Sequence, residues 1–137
     1  MAVQPYLFFE GRCEEALNFY VKAIGAEVVM LMRYKESPDP GSSPPGAGEK
    51  VMHASLRVGD AMVMGSDGRC SGKPNFSGFA LSLTARDPGE AGKFFSALAD
   101  GGRVEMPLTK TFFSESFGML SDQFGVMWMV MVEPAAA

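Results

Sequence analysis

Two stretches of this chain carry the same pattern. Glu15-Ala16-Leu17-Asn18-Phe19-Tyr20 is echoed by Glu90-Ala91-Gly92-Lys93-Phe94-Phe95. Each stretch then reaches a glycine and a strand-like run, Gly25-Ala26-Glu27-Val28 and Gly102-Arg103-Val104. Internal repetition constrains a fold more than composition does, because both copies must form the same unit. Around each copy the order reads strand, helix, three strands. Such a unit curls a short twisted sheet and covers only one face with its single helix. The other face is concave and unsatisfied alone, so two units side by side form a cleft. The expected class is α+β: two βαβββ modules, at about residues 1–70 and 76–137, forming a curved mixed-sheet cleft within a single domain over 1–137.

The local signals place the elements. Residues 3–10 read as a strand ending at Gly11. Residues 12–24 read as a helix whose apolar stripe is Ala16, Leu17, Tyr20 and Ile24, with Glu14 and Glu15 where the helix dipole favours acids and Gly25 as the stop. Residues 26–34 form the next strand. Over 51–58 Met52, Ala54, Leu56 and Val58 alternate with His53, Ser55 and Arg57. Gly59-Asp60 turns the chain into a strand at 61–65, and 66–75 is loop. A fifth strand spans 79–84. Asp87-Pro88-Gly89-Glu90 starts a helix that runs to about Ala99 and stops at Gly101-Gly102. The last strands read at 103–107, 115–120 and 126–132, with the final turn at Gln123-Phe124-Gly125. Matching Gly59 to Gly125 puts Met62 and Trp128 in equivalent places. Residues 37–48 hold four prolines, no periodicity and no aromatic anchor, so they read as a mobile segment in preference to a lid.

Bulk properties exclude several classes. A net charge of −4 and the lack of any basic run argue against nucleic acid as a partner. No apolar run approaches the roughly 20 residues of a membrane helix, and the first residues carry no secretory leader pattern. Cys13 and Cys70 fit neither a disulfide framework nor a zinc motif and read as free thiols in a reducing compartment. A cytoplasmic location is expected. The eleven methionines cluster in strands, where thioethers fill adaptable apolar pockets or interfaces.

Few residues offer chemistry. His53 is the single histidine, on the polar side of its strand, and suits a base or hydrogen-bond donor as well as a plain surface role. Phe113 and Trp128 suit aromatic walls against a ligand or ordinary core positions. Arg33, Glu105 and Glu115 are charges within otherwise apolar strands and either pair, line the cleft or face solvent. Asp67 reads as a turn residue at an exposed strand end. No Ser-His-Asp or Cys-His set can be placed.

Taken in order, several segments resemble the vicinal oxygen chelate superfamily of glyoxalase, bleomycin-resistance and extradiol dioxygenase proteins. They are Pro5-Tyr6-Leu7, Glu15 through Tyr20, Val51-Met52-His53-Ala54, Gly59-Asp60 with Gly65-Ser66-Asp67, Gly101 through Leu108, and Phe117-Gly118 with Asp122 through Trp128. The chain is most similar to the bacterial glyoxalase-like branch associated with phosphonate gene clusters, the 3-demethylubiquinone 3-methyltransferase-type domain. The resemblance implies the glyoxalase/bleomycin resistance/dioxygenase fold. Methyl transfer finds no support in the residues: no glycine-rich strand-to-helix turn with a downstream acid is present for a nucleotide-type cofactor.

Metal-dependent members of that superfamily carry His, Glu, His and Glu on their first, fourth, fifth and eighth strands. Carried over, those places fall at Pro5, at Val63 or Met64, at Phe79 or Ala80, and at Met129. None of these side chains holds a divalent ion. The expectation is therefore a metal-independent protein without cofactor, binding a small, largely apolar organic molecule in the cleft. His53, Arg33, Phe113, Glu115, Trp128 and Met129 are the candidate binding residues. A second copy of the chain, as a homodimer, is the expected protein partner. The competing reading is a lyase, isomerase or dioxygenase that uses a relocated metal or His53 as general base.

Overall fold

The computed structural model describes residues 1–39, 41 and 43–133. The chain divides into two compact units, one from Met1 to Asn75 and one beginning at Phe76. Among the described residues each contains four strands and one α-helix, and the first adds a short 3-10 turn at Tyr34–Glu36. In the first unit the order is β1 (Tyr6–Phe8), α1 (Cys13–Ile24), β2 (Glu27–Arg33), β3 (Val51–Val58) and β4 (Ala61–Ser66). In the second it is β5 (Leu81–Ala85), α2 (Pro88–Ala99), β6 (Arg103–Thr109), β7 (Phe117–Ser121) and β8 (Met127–Val132). The sheet orders are β1-β4-β3-β2 and β5-β8-β7-β6. In both sheets the first pair is parallel and the other two are antiparallel. This is the α+β, twice-βαβββ architecture that the internal repeat implies.

The register makes the repeat sharper than the sequence does. Leu56 pairs with Val63, and Leu120 with Trp128. Ser55 pairs with Met64, and Met119 with Met129. Each edge strand also skips one residue at the corresponding place: Val29 in β2, between Val28 and Met30, and Glu105 in β6, between Val104 and Met106. Two edge strands carrying the same bulge at the same register belong to one repeated design. The pairing corrects the equivalence of Met62 with Trp128: Val63 is the partner position. Glycine spacing across turns of different length misses by one, and one residue reverses the face.

The helix-covered faces are the cores. In the first unit Leu7, Ala54, Leu56 and Gly65 lie beneath the buried side of α1, namely Cys13, Ala16, Leu17, Tyr20 and Ala23. Ala23 stands where Ile24 was expected. In the second, Ala85, Leu120, Trp128, Val130 and Val132 meet Ala91, Phe95 and Leu98 of α2. Full burial of a large apolar side chain contributes about 1.5–3 kcal/mol. Gly118 permits the close approach of α2: a Cβ there would lie 2.8 Å from the Phe95 ring.

Several strand boundaries differ from expectation, each for a local reason. β1 keeps only three residues of 3–10, since Glu10 turns at φ 52° and the leading residues are exposed. β5 begins at Leu81, after Gly78 has turned at φ 79°. β7 begins at Phe117 because the Ser114 hydroxyl occupies the backbone ahead of it, bonding the carbonyls of Ser116 and Val132. β6 extends through Pro107, which an edge strand tolerates. In β3 the alternation breaks, with Val51, Ala54 and Leu56 all buried. Within 37–48, Pro40 and Ser42 lie outside the described residues, as do residues 134–137. The flanks are tied down: Tyr34 is buried and donates to the Gly68 carbonyl, Lys35 N–H bonds Gly48, and Ala47 is buried. Among the described residues no helix is long and apolar enough to cross a membrane.

Candidate functional site

The faces turned away from the helices are the places where chemistry can occur. Strand parity assigns their residues directly. Across the middle of the first sheet runs Met30, Ser55, Met64 and Tyr6; across the second runs Met106, Met119, Met129 and Ser82. These two rows are register equivalents and contain no charged side chain. One step along, Met32 pairs with His53 near Phe8 in the first unit, and Phe117 pairs with Met131 near Thr84 in the second. Phe8 is 53% exposed and Met30 40%, so these open faces present large apolar groups.

One polar pair interrupts the first open face. The Tyr6 hydroxyl lies 2.8 Å from His53 Nδ1, and the two rings sit 5.5 Å apart. Phe8 flanks Tyr6 at 5.0 Å. Burial pushes the Tyr6 hydroxyl above its ordinary pKa, partly opposed by hydrogen bonding with Ser66. The second unit has Ser82 and Phe117 at the equivalent places. Phe117 is buried there against Phe113, with centroids 5.1 Å apart.

The expected site residues separate into distinct surroundings. His53 and Met129 lie on open faces, and Phe113 borders one. Trp128 does not: it is 3% exposed beneath α2, and its indole N–H donates to Asp122 Oδ2 at 2.9 Å. Its parity with Val63 makes it a core residue rather than a ligand wall. Arg33 grips both carboxylate oxygens of Glu14 at 2.7 and 3.1 Å and the Glu49 carbonyl at 2.7 Å, and so ties β2 to α1. It borders a polar surface groove of about 480 Å³ with Glu14, Glu49 and Lys50. Glu115 is exposed in the loop before β7 and stands in no strand. Glu105 is the exposed bulge of β6, bonded to Arg103 and Ser121.

Asp67 is the largest departure. It is 1% exposed, and its carboxylate accepts N–H bonds from Gly11, Cys13 and Val51 at 2.7–2.9 Å. It caps α1 from far along the chain, since Arg12 at the N-cap makes no side-chain cap bond. At α2 the local Asp87 takes the Glu90 N–H. Both helix N-termini, the natural seats for an anionic cofactor group, are thus filled by the chain's own carboxylates. Cys13, under Asp67, is fully buried; desolvation and that carboxylate push its thiol up to about 12.

The metal positions shift by register as well. The open-face pairs on the four strands concerned are Tyr6 with Met64 and Ser82 with Met129. Tyr6 replaces Pro5, Met64 is chosen over Val63, and Ser82 replaces Phe79 or Ala80, which precede β5. Neither pair, a phenol with a thioether or a hydroxyl with a thioether, suits a divalent ion of the glyoxalase type. Among the described residues no group of three or more His, Cys, Asp or Glu side chains is placed to hold a metal. Sequence reasoning missed Tyr6, Ser82 and Met119 and left Met64 open against Val63; the signal was strand parity, usable only with the register in hand.

Comparison with known proteins agrees with this architecture. Residues 1–131 match the family described as 3-demethylubiquinone-9 3-methyltransferase. Protein YjdN of Escherichia coli K12 is 34% identical over 96% of this chain and 95% of its own length. The crystal structure of protein PA1353 from Pseudomonas aeruginosa superposes with a TM-score of 0.85 at 38% identity, covering 97% of this chain and 98% of that one. A glyoxalase-related enzyme from Fulvimarina pelagi shares the fold at a TM-score of 0.63 and 16% identity, over 100% and 93% of the two chains. The chain therefore belongs to the family described as 3-demethylubiquinone-9 3-methyltransferase.

Proposed function

We propose that this protein binds a small, largely apolar organic molecule on the open faces of its sheets, without a divalent metal. The observation that carries the reading is the pair of uncharged middle rows, Met30-Ser55-Met64-Tyr6 and Met106-Met119-Met129-Ser82. Thioethers adapt to irregular apolar shapes, and a few hydroxyls supply orientation. The four positions at which related folds keep metal ligands are built from the same residues, so binding takes the place of Lewis-acid chemistry. The neutral dye N-phenyl-1-naphthylamine, which brightens on leaving water, tests this. It should bind saturably, and Met64→Glu and Met129→Glu should each weaken it by at least about tenfold, since a carboxylate there must be desolvated. Absence of saturable binding to the wild-type protein, or unchanged binding in both variants, would overturn the reading. Pairing of two copies is part of the same proposal. It is supported by Val29 and Met30 on edge strand β2 and Val104 and Met106 on edge strand β6, all exposed; sedimentation as a monomer would sink it.

A further inference from the structure

We propose that Tyr6 and His53 form an anchor for an anionic oxygen group, so that the ligand of the open face is a small apolar acid rather than a neutral hydrocarbon-like molecule. The inference rests on the apolar-ligand reading and narrows it. The Tyr6 hydroxyl and His53 Nδ1 are 2.8 Å apart, beside a middle row of thioethers and a serine, and among the described residues the one ion pair on this face, Arg57 with Glu27, lies farther along the strands. Among the described residues no protein group bonds Nε2 of His53.

Two proton arrangements satisfy this contact. With neutral His53, Tyr6 donates to Nδ1, and the proton on Nε2 is the single outward donor. With His53 charged, Nδ1–H donates to the Tyr6 oxygen, and the phenolic proton turns outward, where an anion replaces Ser66 as its acceptor. The second arrangement presents two donors and a positive charge, which match the lone pairs and charge of a carboxylate, sulfonate or phenolate. An anion therefore selects the charged form, and binding takes up one proton onto His53. Affinity must rise as pH falls.

The surroundings leave this charge free to act. Facing His53 are Tyr6 and Phe8 from β1, Met30 and Met32 from β2, and Met64 and Ser66 from β4, and Cys13 and Tyr34 interact electrostatically with Tyr6. None is a carboxylate. The nearest strand charges are already matched, Arg57 by Glu27 and Arg33 by Glu14. The aromatic rings of Tyr6 and Phe8 offer a wall for the body of the acid. The equivalent places in the second unit, Ser82 and Phe117, hold no such pair, so the anchor belongs to the first unit alone.

Two dyes with the same apolar body test the anchor: N-phenyl-1-naphthylamine and its sulfonate, 8-anilinonaphthalene-1-sulfonate. From about pH 8 to about pH 5.5 the wild-type affinity for the sulfonate should rise about tenfold, while that for the neutral dye stays flat. At about pH 5.5 the ratio of sulfonate to neutral affinity should fall about tenfold in His53→Gln and several-fold in Tyr6→Phe. A pH-independent sulfonate affinity, or an unchanged ratio in both variants while the neutral dye still binds, overturns the anchor alone. Failure of the neutral dye to bind overturns the apolar site and the anchor together.

Discussion

The two units share a backbone plan and differ in what they place on it. Their helix-covered faces are close copies in chemistry: Ala54 and Leu56 in one stand where Gly118 and Leu120 stand in the other. Their open faces diverge, with Tyr6 and His53 against Ser82 and Phe117. The helix starts diverge too, since Asp67 caps α1 from outside the helix and Asp87 caps α2 from the adjoining residue. A face pressed against a helix admits only small and apolar side chains at close packing distance. An open face carries no such restriction, so in a duplicated fold it is the place where function can differ between the copies.

Substitutions at equivalent positions test how far the comparison holds. The largest effect is expected in the core. Trp128→Ala should cost about 3–5 kcal/mol, whereas Val63→Ala at the matching position should cost about 1 kcal/mol. Urea unfolding followed by far-ultraviolet circular dichroism measures both, and equal losses would refute the register equivalence as an energetic one. Next come the caps. Asp67→Ala strands three N–H groups, two of them on or beside buried backbone, and should cost on the order of 3 kcal/mol. Asp87→Ala removes one exposed cap bond and should cost about 1 kcal/mol. Similar losses would mean that α1 finds another cap.

The smallest effect concerns Arg33, whose tie from edge strand to helix has no counterpart among the described residues of the second unit. Its guanidinium holds the Glu14 carboxyl below the ordinary range, chiefly through their hydrogen bonds. A carboxyl lowered by folding stabilises the folded state fully above its unfolded pKa of about 4.3, and that contribution is lost as pH falls through the lower folded value. Arg33→Gln should therefore lower the melting temperature slightly near neutrality, and the difference should vanish in acid. A difference that persists unchanged in acid would show that the arginine acts through packing and its bond to the Glu49 carbonyl.

How much of the site was legible follows the same division. His53 and Met129 stood out through residue type and spacing, and both lie on open faces. Tyr6 was read only as part of a strand, because its partner is 47 residues away. Trp128 suits a ligand wall or the core equally by residue type, and only the strand pairing assigns its face. Asp67 looked like an exposed turn residue because its three N–H donors come from a loop, a helix start and a neighbouring strand, none adjacent in the chain.

The amino-acid order alone determined the repeated strand-helix-strand plan, since local periodicity and glycine, proline and aspartate signals act within a few residues. Tertiary structure decided which face each side chain occupies. A strand reverses its faces with a slip of one residue, and that register is set by bulges and by pairing with distant strands. Through that register Met64, Ser82 and Met129 fall on the open faces, Trp128 goes to the core, and Tyr6 meets His53.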